Sequence, residues 1–430
     1  MDRVSATLLA APFFLFAAQS AAAPDPQFDQ GVDVRPVIEQ SRQGAGLRGR
    51  GLAAGQKSAG DADGPVWISV SNEDVAALGD EFDFPRRVPL AQGGIAAVFE
   101  VKVSELDLLA AVMQRRLHKS PGFFAHASLE AAQRDIEAAP AAMTKAYTID
   151  QREVVAPMLQ RVDEAAISGV IGRLSSYKNR YYRSETGVAS SRWVRDRWQE
   201  LAAGRSDITV TTYGHGGFAQ ESVILTVRGA AEPDQVVVLG GHLDSIAGGG
   251  GDNAAPGADD NASGVAVLTE AIRVMVASGY KPKATLKFIA YAAEEVGLRG
   301  SREIADRFKK DGVAVQGVVN FDMANYKGSS EDIYLISDNT HEAQNAFLGR
   351  LVETYTDYRW AKTKCGYGCS DHVSWTRDGF IASFPFETMM NEDNPNIHSD
   401  KDTLAQTGGR SLQAFKFAKL AVAYLVEMAK

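Results

Sequence analysis

The sequence predicts an α/β protein: a mixed, mostly parallel central sheet covered by helices on both faces, preceded by a small α+β unit. Three observations carry that expectation. Apolar, β-branched runs recur at residues 236–239, 285–291 and 315–321 with helical patterns between them, the signature of parallel strands joined by crossover helices. Residues 263–276 are apolar over a wide helical face (Val265, Leu268, Ile272 and Met275), as packing on a sheet requires. Each β run also stops at chemically active side chains: His242 and Asp244 after the first, Glu294 and Glu295 after the second, Asp322 after the third. Open α/β sheets bind ligands at the carboxyl ends of their strands.

At 430 residues the chain exceeds one average domain and can bury a large core. Its net charge of −9 argues against nucleic-acid and membrane partners, which need a basic face. Met1, Asp2 and Arg3 precede an apolar run over 4–18 and the small residues Ser20 to Ala23, so residues 1–23 read as a secretory signal peptide. The run is shorter than the ~20 residues that span a bilayer. The expected destination is outside the cytoplasm, extracellular or periplasmic. In an oxidising compartment the two cysteines, Cys365 and Cys369, are expected to form a disulfide. So small a ring removes only about 2 kcal/mol of chain entropy, and its expected role is to fix Tyr367 in the loop between them.

Residues 24–62 are rich in Gly, Ala, Gln, Asp and Arg without apolar periodicity and read as a flexible segment. Order is expected from residue 63. Residues 66–70 and 95–103 alternate as strands, and Ser104 stands where it would cap a helix with apolar positions Leu106, Leu109, Val112 and Leu117. This unit spans 63–137, and a linker at 138–146 separates it from a larger domain at 147–430. There Ile167, Val170, Ile171 and Leu174 form a helical stripe, and Trp193, Val194, Trp198 and Leu201 give the next helix. Residues 208–212 and 222–227 alternate as an antiparallel strand pair leading into the strand at 236. A strand at 333–337, a helix at 343–355, a strand at 381–386 and a helix at 412–428 complete the alternation.

The chemistry lies in the ligand count. His, Asp and Glu donors without Cys suit a hydrolytic zinc site, and cobalt or manganese would also fit. One catalytic zinc needs three protein ligands, whereas five candidates are present: His242, Asp260, Glu295, Asp322 and His398. Five suit two ions about 3.5–4 Å apart that share a carboxylate, with a water between them. Glu294 is then left beside a ligand, within reach of that water as a general base. Asp244, two residues past His242, can accept the second imidazole N–H and fix its tautomer. Each feature alone has a plainer reading: a strand-end His is more often structural, and Asp-Asp-Asn before a helix is more often an N-cap. His118, His126, His215, His341 and His372 read as structural or surface, with His372 notable for adjoining the disulfide loop. The Asn261-Ala262-Ser263 sequon would fall inside the pocket, and Gly248 to Gly251 lack the Lys-Ser/Thr of a phosphate loop.

From about Tyr147 onward the chain resembles the secreted bacterial leucyl aminopeptidases, the co-catalytic di-zinc family. The matching stretches are G-G-H-L-D-S, P-G-A-D-D-N-A-S-G, A-Y-A-A-E-E-V-G-L-R-G-S, F-D-M-A-N-Y-K-G, C-G-Y-G-C-S-D-H-V-S-W and N-P-N-I-H-S-D-K-D-T-L. The resemblance implies a zinc-peptidase fold and two zinc ions bridged by Asp260. One ion would take His242 and Asp322, the other Glu295 and His398, with Glu294 as base and a cis peptide after Asp260. It implies a substrate pocket of Met323, Ile336, Tyr367, Phe386, Met390 and Ile397, with the cystine in its wall. Two departures stand out: Asn261 replaces a third Asp, and Met390 and Asp393 replace aromatics of leucine-preferring relatives, which puts an acid at the pocket edge.

Residues 24–146 resemble the pro-region of such enzymes, an intramolecular chaperone and inhibitor removed by a processing protease at or near the linker. The resulting expectation is an exported, monomeric aminopeptidase that removes apolar, leucine-like residues from the N-termini of peptides. A carboxypeptidase or a glutaminyl cyclase can share such a fold, and a non-catalytic binding module is a third class. The five ligands and the Glu-Glu pair argue against the cyclase, and the full ligand set argues against the binding module.

Overall fold

The computed structural model describes residues 63–137, except 83, 85–88 and 94–95, and residues 146–430, except 249. The expected signal peptide at 1–23, the segment 24–62 and all but the last residue of the linker 138–146 lie outside the described residues.

The N-terminal unit comprises β1 (Pro65–Ser71), α1 (Asn72–Leu78), β2 (Ala91–Gln92), β3 (Ala96–Lys102), α2 (Leu106–Leu117), β4 (Phe124–His126) and α3 (Leu129–Glu137). Its strands form an antiparallel sheet in the order β2-β3-β1-β4. The period-two pattern of β1 buries Val66, Ile68 and Val70 in one cluster with Leu106, Leu109, Val112 and Met113 of α2. Ser104 does not cap α2 as expected. It lies in a single 3-10 turn, Val103–Glu105, where the Glu105 carboxylate accepts the Lys102 amide at 2.7 Å. That carboxylate-to-amide bond orders the entry to the helix in place of the serine hydroxyl.

The larger region contains α4 (Arg152–Leu159), α5 (Glu164–Ser175), α6 (Glu185–Leu201), β5 (Ile208–Tyr213), β6 (Ser222–Val227), β7 (Glu232–His242), α7 (Ala262–Ala277), β8 (Ala284–Tyr291), α8 (Arg299–Lys310) and β9 (Ala314–Asn320). There follow β10 (Ile333–Ile336), α9 (Glu342–Tyr355), β11 (Trp360–Thr363), α10 (His372–Arg377), β12 (Ala382–Ser383), β13 (Pro385–Phe386) and α11 (Leu412–Met428). The main sheet has six strands in the order β12-β9-β7-β8-β6-β5. The pairings from β12 through β8 are parallel, and β6 and β5 are antiparallel.

Alternation along the strands supplies two buried faces. Val237, Leu239, Leu286 and Phe288 meet α5, α7 and α11 on one side; Val236, Val238, Ile289 and Tyr291 meet α8 and Trp375 on the other. Helices therefore cover both faces, as a mostly parallel sheet requires.

Two expectations change. The β5–β6 pair joins the sheet through β8, not directly through β7. The single strand expected over 381–386 is two: β12 pairs with β9, whereas β13 pairs with β10 in a second, three-stranded sheet. Pro385, which has no N–H to continue a ladder, begins the second piece. Among the described residues no helix is long and apolar enough to cross a membrane.

Candidate metal centre

The strand ends and two loops converge. His242 is the last residue of β7, Glu294 and Glu295 follow β8, and Asp322 follows β9. Asp260 immediately precedes Asn261, the N-cap of α7, whose side chain accepts the Gly264 amide at 2.8 Å and donates to the Phe321 carbonyl at 2.9 Å. A Cβ at Gly264 would lie 2.1 Å from that same carbonyl, so glycine lets the head of α7 reach the strand that delivers Asp322. Both ends of the Asn261 amide are engaged and the residue is fully buried, so the sequon belongs to the fold. The Asp260–Asn261 peptide is cis. Ala293, Met323 and His398 adopt positive φ (56°, 51° and 54°), a conformation uncommon for residues with a side chain.

His242 Nε2 lies 3.1 Å from Asp260 Oδ1 and 3.3 Å from Asp322 Oδ1. His398 Nε2 lies 2.9 Å from Asp260 Oδ2 and 3.0 Å from Glu295 Oε2. Two triads result, His242–Asp260–Asp322 and Asp260–Glu295–His398, each with donor atoms within 4.8 Å of one another. Asp260 belongs to both and turns one oxygen to each imidazole. Ligand bonds of about 2.0–2.1 Å in a tetrahedron put donors about 3.3 Å apart, close to the separations seen. Glu295 Oε1 is buried without a hydrogen-bond partner, as an oxygen reserved for a cation would be. The donor set therefore fits divalent metal.

Charge tells the same story. Burial lowers the affinity of both imidazoles for protons, yet Asp322, Glu294, Asp244 and Asp260 around His242, and Glu295 and Asp260 around His398, hold both well above the ordinary range. Burial first, then the charge of Asp260, pushes Glu295 up to about 7. Burial, with Glu295, Asp371 and Asp322, raises Glu294 well above the usual carboxyl range against the pull of His242. So many buried carboxylates raise one another unless cations offset them.

Several buried groups position this set. Asp244 does more than expected: its carboxylate also accepts the amides of Glu294 at 2.9 Å and Glu295 at 3.1 Å. The His242 Nδ1 partner at 3.2 Å is the Asp244 carbonyl, with the carboxylate 3.5 Å away. Two consecutive N–H groups present a better cradle for a carboxylate than one ring nitrogen, and they aim the Glu-Glu pair. Ser370 donates to Asp322 Oδ2 at 2.6 Å. Asp402 accepts the Asp260 amide at 3.0 Å and the Asp259 amide at 3.1 Å, and Asn394 donates to Asp402 at 3.1 Å. Arg180, 1% exposed, binds the carbonyls of Leu243 and Gly257 at 2.8 and 2.9 Å and so ties the β7 exit to the loop before Asp260. His372 is fully buried, its burial pushing it down to about 3, with its ring 4.9 Å from that of Phe384. It is a core residue.

Beside the triads lies a cavity of about 410 Å³. Met323, Ile336, Phe384 and Phe386 form an apolar cluster with Met390, Ile397 and the Cys365–Cys369 disulfide. Tyr367 lines the cavity too. Phe384 was not among the expected pocket residues; the expected 381–386 strand gave no sign that its break would turn this ring inward.

The N-terminal unit reaches the same place. Ser120, in the turn after α2, brings its hydroxyl 3.1 Å from Glu295 Oε2 and 3.2 Å from His398 Nε2, and its amide donates to the Tyr367 hydroxyl at 3.1 Å. Gln114 and His118 line the cavity with it. Ser120 carries no local sequence signal, because a serine-proline turn is common.

Nitrogen and oxygen donors gathered on a sheet rim beside an apolar pocket define a metal-dependent hydrolase. The sequence profile of Peptidase family M28 matches residues 222–423. A protein from Trichophyton verrucosum named probable leucine aminopeptidase is 33% identical over 316 residues, 72% of this chain and 85% of the relative. The crystal structure of the LapA aminopeptidase of Legionella pneumophila aligns with a TM-score of 0.74 at 26% identity, covering 86% of this chain and 99% of that one. LapB of the same organism aligns at 0.75 and 29% identity, covering 85% and 100%. The chain belongs to peptidase family M28 and is a metallo-aminopeptidase.

Proposed function

We propose that the chain is an exported, two-zinc aminopeptidase that removes apolar residues from the N-termini of peptides, held inactive by its own N-terminal unit until a protease cuts the linker. The observation that carries the two-ion reading is Asp260, with Oδ1 on the His242 side and Oδ2 on the His398 side. His242 and Asp322 would hold one ion, Glu295 and His398 the other. When bound, the zinc ions would polarise the scissile carbonyl and make an adjacent water more acidic. Glu294 faces the cavity from a buried, carboxylate-rich setting. It takes a proton from the attacking water and returns it to the leaving nitrogen, so one residue serves as base and then acid. The apolar cluster around Met323 and Phe386 takes the first side chain and excludes water from the reacting bond.

Inhibition rests on Ser120, whose hydroxyl occupies the space in front of two of the ligands. A substrate carbonyl needs that space, so the enzyme is expected to work only once this turn has moved away. Zinc analysis and turnover of variants test the assignment. Glu294→Ala should keep its metal and lose about 10²- to 10⁴-fold in kcat; His242→Ala should lose metal as well. Near-normal turnover by Glu294→Ala would remove the base from the scheme. N-terminal sequencing of active enzyme should find a start near residues 138–147; a start near Pro24 would end the pro-region reading.

A further inference from the structure

Asp393 stands in the substrate cavity, its carboxylate held by amides of its own loop and, among the described residues, by no side-chain cation. It lines the same cavity as Met323, Phe386, Met390 and Ile397. Its Oδ1 accepts the Asn391 amide at 3.1 Å. Among the described residues no lysine, arginine or histidine nitrogen pairs with it. It is near enough to Asp260 and His398 for their charges to act on it, and its own charge acts on Tyr367. Burial holds its carboxyl above the ordinary range.

An apolar first residue filling this cavity would strip water from a carboxylate and return nothing to it, which is unfavourable. A long stem ending in a cation avoids that loss. The methylenes of lysine or arginine can lie along Met323, Phe386 and Met390 while the charged head reaches the carboxylate. We infer that Asp393 makes lysine and arginine favoured first residues alongside leucine, by pairing with the cationic head of a side chain whose stem lies on the apolar wall. This inference rests on the aminopeptidase reading and adds a second substrate class to it.

The test compares kcat/KM for leucyl-, lysyl-, arginyl- and glutamyl-p-nitroanilides. The full-length chain is loaded with zinc and assayed before and after limited proteolysis, with thermal melting to verify folding. The wild type should hydrolyse the lysyl substrate within about tenfold of the leucyl one. Asp393→Asn should lower the lysyl-to-leucyl ratio by about tenfold or more, as expected for loss of a partly buried charge pair. Asp393→Lys should reject the lysyl and admit the glutamyl substrate. A lysyl rate below about a hundredth of the leucyl rate in wild type, or an unchanged ratio in both variants, overturns the inference. Equal loss on every substrate in Asp393→Asn also overturns it, since that result means Asp393 holds the common α-amine. Failure of the wild type to cleave any of the anilides overturns the aminopeptidase reading and this one together.

Discussion

Removing the Asp135 carboxylate should wake the unprocessed enzyme. Asp135, on α3, is buried against the larger region: Arg302 on α8 lies 3.5 Å from its Oδ1 and Arg377 on α10 binds its Oδ2. Within its own unit Ser69 donates to it at 2.7 Å. Asp135→Ala would leave two guanidinium groups without their counter-charge. Losing one partner of a fully buried pair costs about 3–5 kcal/mol. Here the arginine side chains retain 11% and 25% of their exposure, so about 2–3 kcal/mol is the better figure. That corresponds to a roughly 30- to 150-fold weaker hold of the N-terminal unit on the catalytic region. The assay is leucine-p-nitroanilide hydrolysis by the zinc-loaded, unprocessed chain, beside the rate at which a protease digests its N-terminal unit. Both should rise about tenfold or more in Asp135→Ala. An uncut variant as silent and as protease-resistant as the wild type would refute the idea that this ion pair latches the unit over the site.

Further outcomes follow from the same contacts. Burial pushes the neighbouring His126 down to about 3, with Arg302 and Arg377 adding to the effect against Asp135. Its unfolded value is near 6.5, so the unfolded unit binds the proton that the folded one refuses. Stability of the N-terminal unit should therefore be full above about pH 6.5 and fall with acidification, by about 2 kcal/mol at pH 5. Melting at pH 7 and pH 5 checks this, and His126→Phe should flatten the slope. Asp402→Ala leaves the Asp259 and Asp260 amides without their acceptor and removes one of the two acceptors of the Asn394 side chain. Zinc affinity, read by chelator competition, should fall about 10- to 100-fold while the ligands themselves are intact. Phe386→Ala should cost about 3–5 kcal/mol in a urea melt, and it should admit bulkier first residues, read as kcat/KM for tryptophanyl over leucyl anilide.

How much of this was legible in the sequence depends on what a residue touches. His242, Glu295 and Asp322 could be seen because apolar strands end at them, and strand ends define a rim whatever the rest of the chain does. The helices at 262–277 and 412–428 were legible from their periodicity. The resemblance supplied the sharing of Asp260, which no local pattern could. Asp402, Arg180 and Ser370 escaped notice because they act through backbone groups and hydroxyls across long sequence separations, with no periodic or spacing signal. Asp244 lies 3.5 Å from the His242 Nδ1 that proximity in sequence suggested, and the return of β8 adds two amides to its carboxylate that no local pattern shows. The split at Pro385 was written in the sequence, since proline interrupts a ladder, but the identity of the second sheet was not. Ser120 was invisible, because its significance comes entirely from where α2 ends against the catalytic region.

The most direct test is a crystal structure with data collected at the zinc absorption edge. Two anomalous peaks about 3.5–4 Å apart are expected, each bonded to a different oxygen of Asp260, one flanked by His242 and Asp322 and the other by Glu295 and His398. A single peak, or two that do not share Asp260, would contradict the paired-ion account.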